Sequence, residues 1–192
     1  RQTTIGGVSH PLPDPFLVVA TQNPIEQDGT SSLPEAQLDR FLIKEVLDYP
    51  SHAEEREILH RIDSGVFERT SDAERVEPGH IAELVGTARR IHVDGAITDY
   101  LIRIVQATRD PRRLPSRISA AIELGASPCA SIALTAVARS LAPLRGRAFV
   151  SPEDIKAAAH RVLEHRSIMT FEAGAPGIDQ RHVVVARLAA VP

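Results

Sequence analysis

The chain has 192 residues, 43% of them hydrophobic, which is enough for one generous domain or two small ones with a core of their own. Aromatic residues make up only 4%, with no Trp, while Ala, Leu, Ile and Val are plentiful, a balance that favours packed helices over a sandwich or barrel. A net charge of -3 argues against a general nucleic-acid binder, one cysteine excludes an internal disulfide, and no apolar run reaches the roughly 18 residues a membrane span needs; the expected compartment is the cytoplasm.

Residues 3–10 read as a short hairpin, because Gly6-Gly7 supplies the positive φ angles of a tight primed turn between two brief extended runs. The proline-rich stretch 11–15 cannot continue either strand. Phe16-Leu17-Val18-Val19-Ala20 then forms an unbroken apolar run rich in β-branched residues, the pattern of a central strand buried on both faces. One such strand cannot stand alone. The sheet it needs must come largely from outside this sequence, and the first residue is Arg rather than Met, so the expectation is a piece of a longer chain.

After a polar loop over 21–32, Pro34-Glu35-Ala36-Gln37-Leu38-Asp39-Arg40 predicts a short helix with proline in its first turn. Phe41-Leu42-Ile43 and Val46-Leu47 suggest a final strand, closed by Tyr49-Pro50. From Ser51 the character changes: Ser51 with Glu54 makes a capping box for a helix to about Ile62. Apolar spacing of three and four predicts helices over 80–91 and 97–107. Pro128 can open another, to about Leu144, and Ser151-Pro152-Glu153-Asp154 starts one that runs to about His165. A last helix is expected over 180–190. The fold class is therefore an α/β remnant over 1–50, with a hairpin and one or two core strands, followed by an all-helical domain over 51–192.

Other constellations carry little chemistry. His160 and His165 are five apart, on different faces of a helix and without cysteine or acidic partners at ligand spacing, so no metal site is expected. The basic cluster Arg109-Asp110-Pro111-Arg112-Arg113 reads as a solvated loop, and Gly174 and Gly177 around Pro176 as a turn.

One arrangement is far more specific. Val19-Ala20-Thr21-Gln22-Asn23-Pro24-Ile25-Glu26-Gln27-Asp28-Gly29-Thr30 is followed by Leu33-Pro34-Glu35-Ala36-Gln37-Leu38-Asp39-Arg40-Phe41, joining a buried strand, an Asn-Pro at its end and a Leu-Asp-Arg-Phe motif. This combination resembles the MoxR family of AAA+ ATPases. Gly125-Ala126-Ser127-Pro128, Leu144-Arg145-Gly146-Arg147, Ser151-Pro152-Glu153-Asp154 and Val162-Leu163-Glu164-His165-Arg166 are likewise similar to the family's lid domain, as is the closing Ala190-Val191-Pro192.

The resemblance implies that Asn23 is sensor 1, where a neutral amide with both donor and acceptor can hold the attacking water in line beside a polyphosphate. It implies that Arg40 is the arginine finger offered to the nucleotide of a neighbouring subunit, a task suited to a fixed, always-charged fork of donors. The implied activity is ATP hydrolysis with Mg2+, driving chaperone-like remodelling of client proteins by a hexameric ring whose partner carries a von Willebrand factor A domain. The Gly6-Gly7 hairpin is similar to the family's pre-sensor 1 insertion.

Two departures from the family pattern stand out. Neither lysine follows glycine and there is no Asp-Glu dipeptide, so the P-loop and the magnesium-holding Walker B acids are absent and these residues alone should bind and hydrolyse no ATP. Where the family follows Gly-Ala-Ser-Pro with the sensor 2 arginine, this chain has Cys129. A thiol is short and supplies no positive charge, so either the lid senses nucleotide weakly or a nearby arginine such as Arg117 compensates. Two other classes of function remain open on sequence alone: a helix-turn-helix module binding DNA in a salt-sensitive way, and a non-catalytic scaffold derived from an ATPase.

Overall fold

The computed structural model describes residues 2–22, 33–66, 76–110, 114, 116–170 and 180–191. Strands β1 (Gln2–Ile5) and β2 (Val8–Pro11) open the chain as an antiparallel hairpin, with Gln2 opposite Pro11 and Ile5 opposite Val8. Its two turn residues, Gly6 and Gly7, have φ of 58° and 81°, left-handed values that glycine adopts freely and that give a turn whose twist matches the strands.

The runs 16–20 and 41–47, expected as core strands, are not strands here. Leu17 is 82% exposed and Leu47 91%. A strand exists through the ladder it shares with a neighbour, and among the described residues the two sheets pair only β1 with β2 and two later strands with each other. The backbone after Arg40 turns instead toward the helices, Lys44 N donating to the Arg161 carbonyl at 2.8 Å.

The helices follow their caps closely. A single turn, α1 (Glu35–Leu38), begins at Pro34. The capping box at α2 (His52–Asp63) is formed: Ser51 N donates to the Glu54 carboxylate at 2.7 Å, and Glu54 N donates to Ser51 Oγ at 3.4 Å. Next come α3 (Pro78–Arg90) and α4 (Gly95–Ala107), the latter capped by Asp94, whose carboxylate accepts from Ala96 N at 2.8 Å. Neither α2 nor α3 has a buried residue.

Burial among the described residues begins at Ile91 and is concentrated in α4, α6 (Cys129–Leu144), α7 (Pro152–Leu163) and α8 (Gln180–Ala190). The inward positions of α6 are Ala130, Ala133, Leu134, Ala138 and Ala142, a three-and-four repeat of mostly small side chains. Small residues here and at Ala158 and Ala159 let α6 and α7 approach closely, while Leu101, Ile104, Ile155 and Val162 fill the space between helices. Between α4 and α6 lie a short helix, α5 (Ser116–Ala120), and strand β3 (Ile122–Leu124), which pairs antiparallel with β4 (Ile168–Met169). The result is the mostly helical fold with small strands that the sequence implies.

Helix α6 ends in a full Schellman motif. Gly146 has φ of 69°, its N–H reaches the Pro143 carbonyl at 3.0 Å, and Arg147 N reaches that of Ala142 at 3.0 Å. The reversal returns the chain to the start of α7, where Asp154 is fully buried. At the far end, Arg187 of α8 is also fully buried; it donates to Ser167 Oγ at 2.7 Å, and burial pushes its guanidinium down to about 10. Among the described residues no helix is long and apolar enough to cross a membrane.

Candidate functional site

The Leu-Asp-Arg-Phe motif leaves α1 as a tight turn, and its consecutive residues Asp39 and Arg40 have opposite fates. The Asp39 carboxylate is engaged on both oxygens. Oδ1 accepts from Arg166 Nε at 3.0 Å, and Oδ2 accepts from Ser127 Oγ at 2.7 Å. Arg40 does not pair with Asp39 or with Glu35. Its side chain is exposed, has no hydrogen bond or ion pair among the described residues, and borders an open depression lined also by Val18, Gln37, Phe41 and Leu42.

Arg166 sits in the single 3-10 turn, 164–166, that follows α7, with its side chain only 2% exposed. Besides Asp39 it donates to the carbonyls of Asp39 at 3.0 Å, Leu42 at 3.3 Å, Val162 at 2.6 Å and Phe41. Burial lowers the guanidinium's pKa, and the Asp39 charge opposes that shift. His165 Nε2 lies 2.7 Å from Arg166 Nη1 and 3.1 Å from the Phe41 carbonyl. A guanidinium only donates and a carbonyl only accepts, so Nε2 of the neutral ring can bond one of these two neighbours at a time, while Nδ1 is buried without a partner among the described residues. Burial first, and the Arg166 charge second, lower the His165 pKa and keep the ring neutral.

The same Asp39 carboxylate reaches the start of α6. Ser127 Oγ, while donating to Asp39, accepts from Cys129 N at 3.1 Å. Cys129 is the first residue of α6 and is exposed. The turn before it is fixed from α4: Ala126 N donates to Thr108 Oγ1 at 2.9 Å and Arg109 Nε donates to the Ala126 carbonyl at 2.6 Å. Arg109, expected as part of a solvated loop, thus has a positioning contact, because the carbonyls of this irregular turn need donors that no helix supplies. A further strap lies beyond the motif, where Lys44 Nζ donates to Gln180 Oε1 at 3.5 Å and Arg161 pairs with Glu45.

Of the residues the sequence singles out, the structure thus joins the turns that carry Arg40 and Cys129 through Asp39 and Ser127. Asn23 lies outside the described residues, as do the Arg117 side chain and the turn around Pro176. The sequence reading missed Arg166 and His165 as parts of the site. A signal was present: Ile155, Ala159, Val162 and Arg166 follow one another at four, three and four, which puts Arg166 on the buried stripe of α7.

Comparison with known proteins agrees with these motifs. Residues 114–185 match the AAA lid domain family, and residues 1–43 match the family described as ATPase family associated with various cellular activities (AAA). The chain is 43% identical to the chaperone MoxR1 of Mycobacterium tuberculosis, over 96% of this chain and 48% of that protein. It is 39% identical to the uncharacterized protein YeaC of Bacillus subtilis, over 98% of this chain and 56% of that one. A Cytophaga hutchinsonii protein of known structure, described as a candidate ATPase, superimposes with a TM-score of 0.85 at 36% identity, covering 100% of this chain and 58% of that one. The chain spans about half the length of the curated relatives it matches. It belongs to the MoxR family of AAA ATPases, of which it holds a C-terminal part including the AAA lid domain.

Proposed function

We propose that this chain is the arginine-finger and lid portion of an ATP-hydrolysing ring protein that remodels client proteins in the cytoplasm. Residues 1–50 would be the end of the ATPase core and 51–192 the lid, with the P-loop and the Mg2+-holding acids supplied by other parts of the longer protein. The relative named chaperone MoxR1 supports the remodelling role; a hexameric ring and a client bearing a von Willebrand factor A domain follow from the family resemblance.

The observation that carries this reading is the contrast between Asp39 and Arg40. Asp39 is tied down by Arg166 and Ser127, while the adjacent guanidinium stays exposed and, among the described residues, unpaired. An arginine held by its backbone yet spared any internal ion pair is suited to meet negative charge on another molecule. At a neighbour's ATP it would donate to the transferring phosphoryl oxygens, where charge grows in the transition state. Asn23 would act on the other side of that reaction, orienting the attacking water within its own subunit.

The test uses the full-length protein. Arg40→Ala should lower ATP turnover by roughly 10³-fold while ATP affinity changes little, because the finger acts on a neighbour's nucleotide and mainly in the transition state. Turnover within about twofold of wild type would overturn the assignment, and absence of turnover in the wild-type full-length protein would favour a non-catalytic scaffold.

A further inference from the structure

The contacts around Arg166 do more than hold a helix end. They grip the finger motif from one side: the Asp39 carboxylate and the carbonyls of Asp39, Phe41 and Leu42 all accept from one buried guanidinium of the lid. Residues 39, 41 and 42 flank Arg40 on both sides, so the finger's backbone is fixed by Arg166 while its own side chain stays exposed. The same Asp39 is bonded to Ser127, which holds the first amide of α6.

We propose that Arg166 is a positioning residue for the arginine finger, clasping the Arg40 turn to the start and end of its own lid so that the finger presented to the neighbour moves with that lid. This rests on the reading of Arg40 as the finger. The physical basis is the fork of the guanidinium. Five donors in one plane meet a carboxylate and several carbonyls at once, which fixes orientation as well as distance, and a lysine at this place could not. With the Arg166 side chain 2% exposed, water has little access to replace those bonds, so losing the fork leaves a row of carbonyls without that donor and the Asp39 carboxylate with Ser127 Oγ alone. The turn must then shift, and a displacement of about 1 Å at a group acting on a transition state can cost on the order of 100-fold in rate.

The experiment uses full-length protein and ATP, with Arg166→Met, Arg166→Lys and Arg40→Ala compared. Arg166→Met should lower kcat by about 30- to 100-fold with KM for ATP changed less than about threefold, and Arg166→Lys should recover little of it. A residue needed only for its own subunit's fold or its own ATP site would not give the next result. When Arg166→Met subunits, whose own ATP sites are intact, are mixed with subunits disabled at the ATP phosphates but carrying the native clasp, turnover should rise above that of either alone. Asp39→Asn, which keeps the shape and the Ser127 bond, should show the same pattern at about a tenfold loss, and it carries the test if Arg166→Met does not fold. Rescue by mixing of Arg40→Ala but of neither clasp variant would overturn the proposal and leave the finger reading standing. Full activity of Arg40→Ala would remove the finger reading and the proposal with it.

Discussion

Arg147 meets both oxygens of the buried Asp154 carboxylate, at 2.6 and 2.7 Å, across the turn between α6 and α7. Arg145 adds a bond at 2.8 Å, and Ser151 N donates to the same carboxylate at 2.9 Å, so Asp154 closes the Schellman turn and caps α7 at once. Asp154→Ala removes the acceptor for all of these donors. The two arginines are partly exposed and can rehydrate, so the loss should be about 3 kcal/mol, a fall in Tm of roughly 6–12 °C by thermal unfolding. Burial pushes this carboxyl up, but the Arg147 and Ser151 bonds outweigh it and hold the pKa at about 2, below the ordinary 3.8. The stabilisation is therefore complete above pH 3.8 and lost as pH falls through about 2, and Asp154→Asn should flatten that part of the acid unfolding curve. An unchanged melting temperature for Asp154→Ala would show that the turn does not depend on this pair.

Gly125 approaches the end of α4 so closely that a Cβ there would lie 2.2 Å from the Thr108 carbonyl oxygen and 2.6 Å from its carbon. Backbone cannot yield as a flexible side chain can. Gly125→Ala should destabilise the protein by about 3 kcal/mol or more and displace the turn that carries Ser127 and Cys129. Gly79→Ala is the control: a Cβ there would meet nothing within 4 Å outside its own helix turn, and at the start of α3 the change should be neutral or stabilising by up to about 1 kcal/mol. Equal melting temperatures for the two variants would contradict the close packing.

Which parts of this structure were legible beforehand depends on how local their causes are. The Gly6-Gly7 turn, the Ser51-Glu54 box and the limits of α8 each follow from a few adjacent residues, and the structure has them where those residues stand. The runs 16–20 and 41–47 read as strands because their composition is that of strands; without a neighbouring ladder that composition cannot act. Strand β4 has two residues, too few for any period. The bond between Asp39 and Arg166 spans 127 positions, and nothing near Asp39 names its partner. Arg187 is hidden for a similar reason: its acceptors, Ser167 and the Thr108 carbonyl, come from elsewhere in the chain.

His165 gives the clasp a pH dependence. Folding lowers its pKa below 6.5, through burial and then through the Arg166 charge, so protonation favours the unfolded chain. The neutral ring's contribution is complete above pH 6.5 and is lost as pH falls through the lower folded-state value, with a limiting slope of about 1.4 kcal/mol per pH unit. His165→Gln offers Arg166 an acceptor that does not titrate. In urea unfolding at pH 7.5 and 5.5, the wild type should lose more stability than the variant. Parallel losses would mean that His165 does not titrate against the clasp.

Cys129 offers the most direct way to change nucleotide response. It is exposed at the first position of α6, and its amide is already held by Ser127, so a longer side chain can enter without repacking the core. The family places the sensor 2 arginine after Gly-Ala-Ser-Pro, and a guanidinium there would supply the charge and reach that a thiol lacks. In the full-length protein, Cys129→Arg should tighten ATP binding by roughly fivefold or more, the scale of a weak coupling between two sites. Excess ATP should then raise the melting temperature further in the variant than in the wild type, since a tighter ligand stabilises the folded state more at equal concentration. Without ATP the two should melt within about 0.5 kcal/mol of each other, as expected for an exposed substitution. If affinity, turnover and the ATP-induced shift are all unchanged, the start of α6 does not face nucleotide in this protein, and sensing by the lid must run through another arginine.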